Sequence, residues 1–171
     1  MSDVIVEHST MESHDTPCVM YISHSARKAG TSGAEASYGI HVLDDGEVRL
    51  SHSSNVPFES GLRALLTAAI EAIVMAIEVL PPSRRLILRT NNTHLVSPFA
   101  PGGWMQQWLM NGFVTVRRKP VQHRDLYSRL GDLLVAHNVC IEQCHRGDPG
   151  LCAVHVLARK TIDPKSDEGS E

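Results

Sequence analysis

An excess of positive charge, a long apolar run and a basic leader segment are all missing from this sequence. Its 16 Lys and Arg are outnumbered by 19 Asp and Glu, which gives a net charge of -3 at pH 7. This balance excludes binding to nucleic acid through bulk charge alone, so any such binding requires a local basic patch. The longest apolar stretch, residues 65–80, is interrupted by Glu71 and Glu78 and falls short of a membrane span.

The N-terminal segment and the cysteine content point to an intracellular protein. The opening "MSDVIVEHSTMESHDTP" has neither the basic region nor the apolar region of a secretory signal. Four cysteines without such a signal favour free thiols in a reducing compartment. We therefore expect a cytosolic or nuclear protein with no membrane association.

The 171 residues are enough for one domain with its own core. Polar, irregular composition predicts disorder for residues 1–16 and for the acidic tail 163–171, and a single domain for 17–162. Between the tails, strand and helix patterns alternate. Strands are predicted at 18–26, 37–43, 48–56, 84–90 and 139–145, and helices at 60–80, 101–112, 123–137 and 150–162. An Asp-Gly turn joins the second and third strands as a hairpin, and Pro81 ends the first helix.

This order predicts an α/β fold with a mixed sheet of five strands and helices on its faces. An antiparallel meander of three strands comes first, and the later strands are expected to be parallel because helices separate them.

Several strings in the same order resemble type 1 ribonuclease H, over roughly residues 19–162. "YISHSARKAGTSGAEASYGIHV" is similar to that family's first hairpin, "LRALLTAAIEAI" to its first helix and "RTNNTHLV" to its fourth strand. "WMQQWLMNGFVTVRRKPVQHRDLYSRL" is the most specific stretch. The family has Trp-x-x-x-Trp, then a Gly, a basic loop and Lys-Pro-Val-x-Asn-x-Asp-Leu-Trp, and this sequence matches most of those positions in register.

The resemblance implies where the family's four metal-binding carboxylates would fall. They fall on Ser23, Leu65, Asn91 and His155, none of which is an acid. In the family these carboxylates hold two Mg²⁺ ions that activate water for cleavage of the RNA strand in an RNA–DNA hybrid. Mg²⁺ prefers oxygen ligands that include carboxylates, so the Mg²⁺ site is predicted to be lost and no cofactor is expected. The chain is interpreted as a degenerate, catalytically inactive member.

The resemblance also implies three features outside the lost metal site. His145 lies ten positions before His155, the spacing of the family's flexible-loop histidine, so it is a possible remnant of the catalytic site, but an exposed loop histidine in a His-rich chain is the favoured explanation. Trp104 corresponds to an aromatic that lines the DNA channel, whereas Trp108 corresponds to one that packs inward. The basic loop, Arg117, Arg118 and Lys119, corresponds to a protrusion that grips the DNA backbone.

The sequence also offers residues for a zinc site and for a serine nucleophile. Cys140, Cys144, His145, Cys152 and His155 have soft ligand atoms that suit zinc, but the first two lie too far apart along a predicted strand, and buried free cysteines are preferred, with Cys152 packing inward. Ser23 near His24 and His155 suggests a nucleophile, but no strained Gly-x-Ser-x-Gly turn surrounds it.

The leading hypothesis is therefore an inactive ribonuclease H that retains weak affinity for RNA–DNA hybrid or duplex through Trp104 and the basic loop. One alternative is a protein-interaction scaffold, in which the emptied cleft, lined by Leu65, is given over to packing or to a partner protein. The other is residual ribonuclease activity on RNA–DNA hybrids.

Overall fold

The computed structural model describes residues 16–27, 35–57, 60–82 and 84–163. The predicted disordered segments therefore lie outside the described residues, apart from Thr16 and Asp163. Within these residues ten elements follow one another, and their bounds are β1 Cys18–Arg27, β2 Glu35–Asp44, β3 Glu47–Pro57, α1 Gly61–Val79, β4 Leu86–Thr90, α2 Thr93–Phe99, α3 Trp104–Asn111, α4 Arg124–Ala136, β5 Val139–Gln143 and α5 Pro149–Ile162.

The five strands form one mixed sheet in the order β3-β2-β1-β4-β5. β1 and β2, and β2 and β3, pair antiparallel, whereas β1 with β4 and β4 with β5 pair parallel. Asp45 and Gly46 both have positive φ angles at the β2–β3 turn, as a tight type I′ hairpin requires. The predicted fold class, a mixed sheet with an antiparallel meander followed by parallel strands, is confirmed.

Alternate residues of β1 face opposite sides of the sheet, because side chains alternate along a strand. Met20 and Ile22 are fully buried in the main core with the apolar face of α1. Tyr21 belongs to a smaller cluster on the other side with Leu151 and Val154 of α5. The sheet is therefore covered by α1 and α4 on one face and by α5 on the other.

Helix α1 begins and ends as its sequence predicts. The Ser60 side chain accepts a hydrogen bond from the backbone N–H of Arg63, which caps the helix. Its last helical residue, Val79, lies just before the Pro81-Pro82 pair, which lacks the N–H groups needed to continue the helix. The Arg63 side chain then donates two hydrogen bonds to Asp125, at 3.3 and 3.0 Å, and so ties α1 to α4.

One helix was not predicted. This helix, α2, has seven residues and follows β4. It contains Pro98 and is capped by the Asn92 side chain. Short length, β-branched residues and an internal proline all weaken the helical signal here. None of the described helices is long and apolar enough to cross a membrane.

Candidate nucleic-acid interface and degenerate cleft

A cleft of about 520 Å³ opens where β1 and β4 end and α1, α2 and α5 converge. It is lined by Ser23, His24, Leu65, Thr90, Asn91, Asn92, Thr93, His94, Arg146, Leu151, Cys152 and His155. The carboxyl ends of parallel strands are a common place for ligand sites in α/β proteins. All four positions that were aligned with metal-binding acids meet in this cleft.

Ser23 and His155 form the cleft's direct polar contact between β1 and α5. The Ser23 Oγ lies 2.9 Å from the His155 Nδ1, and the two residues are 132 positions apart in sequence. Ser23 is buried, whereas His155 is exposed. The contact therefore leaves the far side of the imidazole ring open towards solvent.

The two asparagines after β4 have different roles. The Asn92 side-chain oxygen accepts a hydrogen bond from the backbone N–H of His94 at 2.9 Å and so caps α2. The Asn92 backbone N–H in turn donates to the buried Thr90 hydroxyl. Asn91 is exposed and lines the cleft. Of the two amides, Asn91 is thus the one presented to a ligand.

Leu65 and His24 occupy the α1 side of the cleft. Leu65 is 1% exposed and belongs to the main core, so its isobutyl group seals the cleft wall and supplies no ligand atom. His24 packs against the start of α1, where Gly61 leaves room for its ring. Burial, and after it the charge of His155, lowers the pKa of His24 below its ordinary value of 6.5.

No carboxylate is among the side chains that line the cleft within the described residues. Magnesium ions in proteins are usually held by one or two carboxylates together with water or phosphate oxygens. The hydroxyl, amide, imidazole and alkyl groups present here, together with the cationic Arg146, do not fit a pair of Mg²⁺ ions. Nor do the described residues contain any group of three or more His, Cys, Asp or Glu that could hold a metal ion.

Asp148 lies in sequence between the lining residues Arg146 and Leu151, but its carboxylate already accepts hydrogen bonds from the protein. Its carboxylate accepts from the backbone N–H groups of Gly150 and Leu151 and caps α5. Partial burial raises its pKa, but the hydrogen bonds from Tyr21 and from those N–H groups outweigh burial and lower it. Arg89, nearby, donates to Glu142 at 3.0 Å and to the Tyr21 hydroxyl at 3.3 Å.

The histidine considered as a possible catalytic remnant does not line the cleft. His145 is exposed, and its Nδ1 accepts a hydrogen bond from the backbone N–H of Gly147. Its neighbour Arg146 lines the cleft instead. Arg146 was not singled out from the sequence, although arginine is the residue type best suited to recognise phosphate and carboxylate groups.

An aromatic cluster connects α3 to α4. The Trp104 and Trp108 rings lie 6.1 Å apart, and Trp108 meets the Tyr127 ring edge-on at 5.2 Å. Trp108 packs against the main core, whereas Trp104 is 52% exposed. The Tyr127 hydroxyl donates to the His94 carbonyl at 2.8 Å, which fixes this cluster relative to the cleft.

The basic loop connects α3 to α4 and is held in a tight turn. The Thr115 N–H donates to the Lys119 carbonyl at 2.7 Å, and the Arg118 N–H donates to the Thr115 carbonyl at 2.8 Å. Val114 and Pro120 form an isolated bridge below the turn. Arg117, Arg118 and Lys119 are all exposed, so the loop presents three cations to solvent.

The expectation of buried cysteines is wrong for most of the four. Cys18 is buried, Cys144 is half-buried, and Cys140 and Cys152 are exposed. Cys152 points outward because the buried stripe of α5 consists of Leu151, Val154, Ala158 and Ile162. The five residues of the zinc alternative are not brought together in any metal-binding group among the described residues.

Curated proteins with similar sequences include ribonucleases H of several bacteria. Ribonuclease H of Moorella thermoacetica is 34% identical over 98 residues, which cover 57% of this chain and 61% of that protein. Ribonuclease H of Chlorobium luteolum is 29% identical over 111 residues, or 64% of this chain and 73% of that protein. The chain thus spans less than two thirds of the first of these relatives. No family model matches the chain.

Similar solved structures have the same fold. A foamy viral protease-reverse transcriptase in complex with dsDNA superposes with a TM-score of 0.75 at 17% identity, over 88% of this chain and 97% of that one. LC11-RNase H1 in complex with RNA/DNA hybrid gives a TM-score of 0.62 at 16% identity, over 86% and 97%. RNase H1 of Halobacterium salinarum gives 0.58 at 17% identity, over 87% and 99%. The chain thus has the fold of these structures and is similar in sequence to curated ribonucleases H.

Proposed function

We propose that the protein binds RNA–DNA hybrid or duplex without cleaving it. The observation that carries the proposal is the composition of the cleft, where Ser23, Leu65, Asn91 and His155 converge and, among the described residues, no lining side chain is a carboxylate. Removing single catalytic groups from an enzyme costs orders of magnitude in rate. The loss of all four ligand carboxylates is therefore expected to abolish metal-dependent cleavage.

Binding is proposed to depend on Trp104 and the basic loop. The exposed face of the Trp104 ring is suited to contact sugars or bases, and its contact with Trp108 keeps it in place. Three exposed cations on one tight turn supply the local positive patch that the overall charge of -3 does not. Two of the similar structures are complexes with dsDNA and with RNA/DNA hybrid, which supports this choice of ligand.

The test is hybrid binding by fluorescence anisotropy over a range of salt concentrations. The variant Arg117→Gln/Arg118→Gln should bind more weakly. Its slope of log affinity against log salt should fall by about 0.9 for each phosphate that the variant no longer neutralises. Adding the substitution of Lys119 should weaken binding further. Trp104→Ala should lower affinity with little change in the salt slope, because stacking does not neutralise a phosphate charge.

The matched control removes the same charge elsewhere. Arg49 and Arg85 are exposed and lie at the opposite end of the sheet from the cleft, where β3 and β4 begin. The double variant Arg49→Gln/Arg85→Gln should retain both the affinity and the salt slope. Equal weakening by the two double variants would show that general charge, not the basic loop, accounts for binding.

A protein-interaction scaffold is the second candidate. It is favoured by exposed apolar side chains around α3 and the basic loop, where Met110 is 89% and Val116 is 99% exposed. If the purified protein binds neither hybrid, duplex nor single strands at low salt, this second function replaces the first.

A further inference from the structure

The charge of the cleft is opposite in sign to that of a metal site. Among the residues that the structure describes, its ionisable side chains are Arg146 and the three histidines at positions 24, 94 and 155, together with the Cys152 thiol. The guanidinium is always charged, whereas the histidines add charge only when protonated. A cleft lined in this way repels a divalent cation and attracts an anion.

Arg146 is available to a ligand. Among the described residues it forms no ion pair, unlike Arg89, Arg84 and Arg63, whose guanidinium groups are held by carboxylates. Its backbone carbonyl accepts from the Cys152 thiol at 3.7 Å, which links it to the first turn of α5. A planar guanidinium can donate two parallel hydrogen bonds to one phosphate group.

The Ser23–His155 pair adds a hydrogen-bond donor in either of its neutral arrangements. If the Ser23 hydroxyl donates to His155 Nδ1, the Nε2 carries a proton that it can donate to a ligand. If Nδ1 donates instead, the hydroxyl proton becomes available. Asn91 contributes an exposed amide to the same cleft, and an amide NH₂ is also a donor.

Backbone groups do not supply this anion affinity. Asp148 already accepts hydrogen bonds from the first N–H groups of α5, and its negative charge offsets the positive end of that helix. The attraction must therefore come from side chains that line the cleft. Its volume of about 520 Å³ is within the range of about 300–1,000 Å³ typical of small-ligand sites.

We propose that the cleft is a metal-free phosphate-binding site in which Arg146, His155, Ser23 and Asn91 hold the anion directly. The shared chemistry is a phosphate group, which a nucleic-acid backbone or a free phosphate ion can supply. Binding of a nucleic-acid phosphate at this site rests on the proposed function, whereas binding of a free phosphate ion does not. Where active relatives use metal ions to neutralise the backbone, this chain uses an arginine.

The direct test is titration with sodium phosphate at constant ionic strength, followed by NMR on the side-chain resonances of Asn91 and Arg146. These resonances should shift in a saturable way that sodium chloride does not reproduce. Arg146→Gln should weaken phosphate binding about tenfold or more, the effect expected for removing one charge-assisted hydrogen bond. Saturable phosphate shifts of equal affinity in Arg146→Gln and in the unmodified protein would overturn the proposal.

A second variant adds a negative charge without changing side-chain size. Asn91→Asp places one carboxylate in the cleft and should abolish the phosphate response. The control Asn138→Asp makes the same change at an exposed position before β5, outside the cleft, and should leave the response intact. A phosphate response that survives in Asn91→Asp also overturns the proposal.

Hybrid binding by the same variants separates the two sources. If Arg146→Gln weakens both phosphate and hybrid binding, the site accepts a backbone phosphate. If it weakens phosphate binding alone, the site stands as one for free phosphate. If the unmodified protein binds phosphate in the cleft but no hybrid, the proposed function fails while this inference holds.

Discussion

A methyl group added at Gly39 would collide with the backbone of α5, the helix that carries His155 into the cleft. Gly39 lies in β2 directly opposite Ser23 of β1. A Cβ at this position would lie 2.7 Å from the Val154 carbonyl oxygen and 3.2 Å from the Ala158 backbone nitrogen. Neither atom is the end of a flexible side chain, so the helix itself has to move.

The size of the effect follows from these distances. Ordinary contact begins at 3.4 Å, so α5 must withdraw from 2.7 Å by about 0.7 Å. Val154 of α5 is fully buried, and the Ser37 hydroxyl of β2 donates to the Ala158 carbonyl of α5 at 2.5 Å. Both interactions oppose a movement of α5 away from the sheet. Overpacking of this kind costs about 1–3 kcal/mol. At about 2–4 °C per kcal/mol for a chain of this size, Gly39→Ala should lower Tm by several degrees.

Urea unfolding and thermal melting of Gly39→Ala measure this cost. The control is Gly147→Ala, because a Cβ there meets only the His145 ring at an ordinary 3.5 Å. The withdrawal should also lengthen the Ser23–His155 hydrogen bond and weaken phosphate binding in the cleft. If Gly39→Ala unfolds with the same free energy as the unmodified protein, α5 is not packed this closely on β2 and the described cleft wall is wrong.

Two further variants test single interactions at the cleft. Because burial lowers the pKa of His24, the unfolded chain binds more protons than the folded one just below pH 6.5. Stability should therefore be fully present above that pH and fall as the pH drops below it, and His24→Gln should reduce this dependence, as measured by urea unfolding at pH 8 and pH 5. An unchanged dependence in His24→Gln contradicts the stated burial. Asn92→Ala should cost about 1 kcal/mol by removing the cap of α2, whereas Asn92→Asp should retain most of the stability because it keeps the accepting oxygen. Equal unfolding free energies for these two variants would show that the cap is not the source of the loss.

Patterns with a strong local cause predicted most of the fold. The Asp-Gly hairpin turn, the apolar face of α1 and the Pro81-Pro82 stop each act over a few residues, and the mixed antiparallel and parallel pairing followed from the alternation of strands and helices. The α2 helix was missed because its stability depends on the Asn92 cap and on packing of Leu95, which is fully buried. The helix propensities of the residues within α2 include neither the cap nor the packing of Leu95.

The sequence predicted that four particular residues meet in the cleft, but it predicted only part of the set of side chains that line it. Alignment to the family placed Ser23, Leu65, Asn91 and His155 at one site, and the structure brings the four together. The resemblance could not tell which side chains of α5 are buried and which line the cleft, because this depends on how the helix packs on the sheet. With Leu151, Val154 and Ala158 buried, Cys152 lies on the cleft side and exposed. The turn before α5 places Arg146, and not His145, at the cleft.

The most direct test of the central claim is a cleavage assay on an RNA–DNA hybrid, run with Mg²⁺ and separately with Mn²⁺ at protein concentrations that saturate binding. We expect a hybrid complex whose RNA strand stays intact with either metal, because no side chain that lines the cleft in the described part of the chain is a carboxylate. Cleavage that requires added metal and is lost in His155→Ala would contradict it.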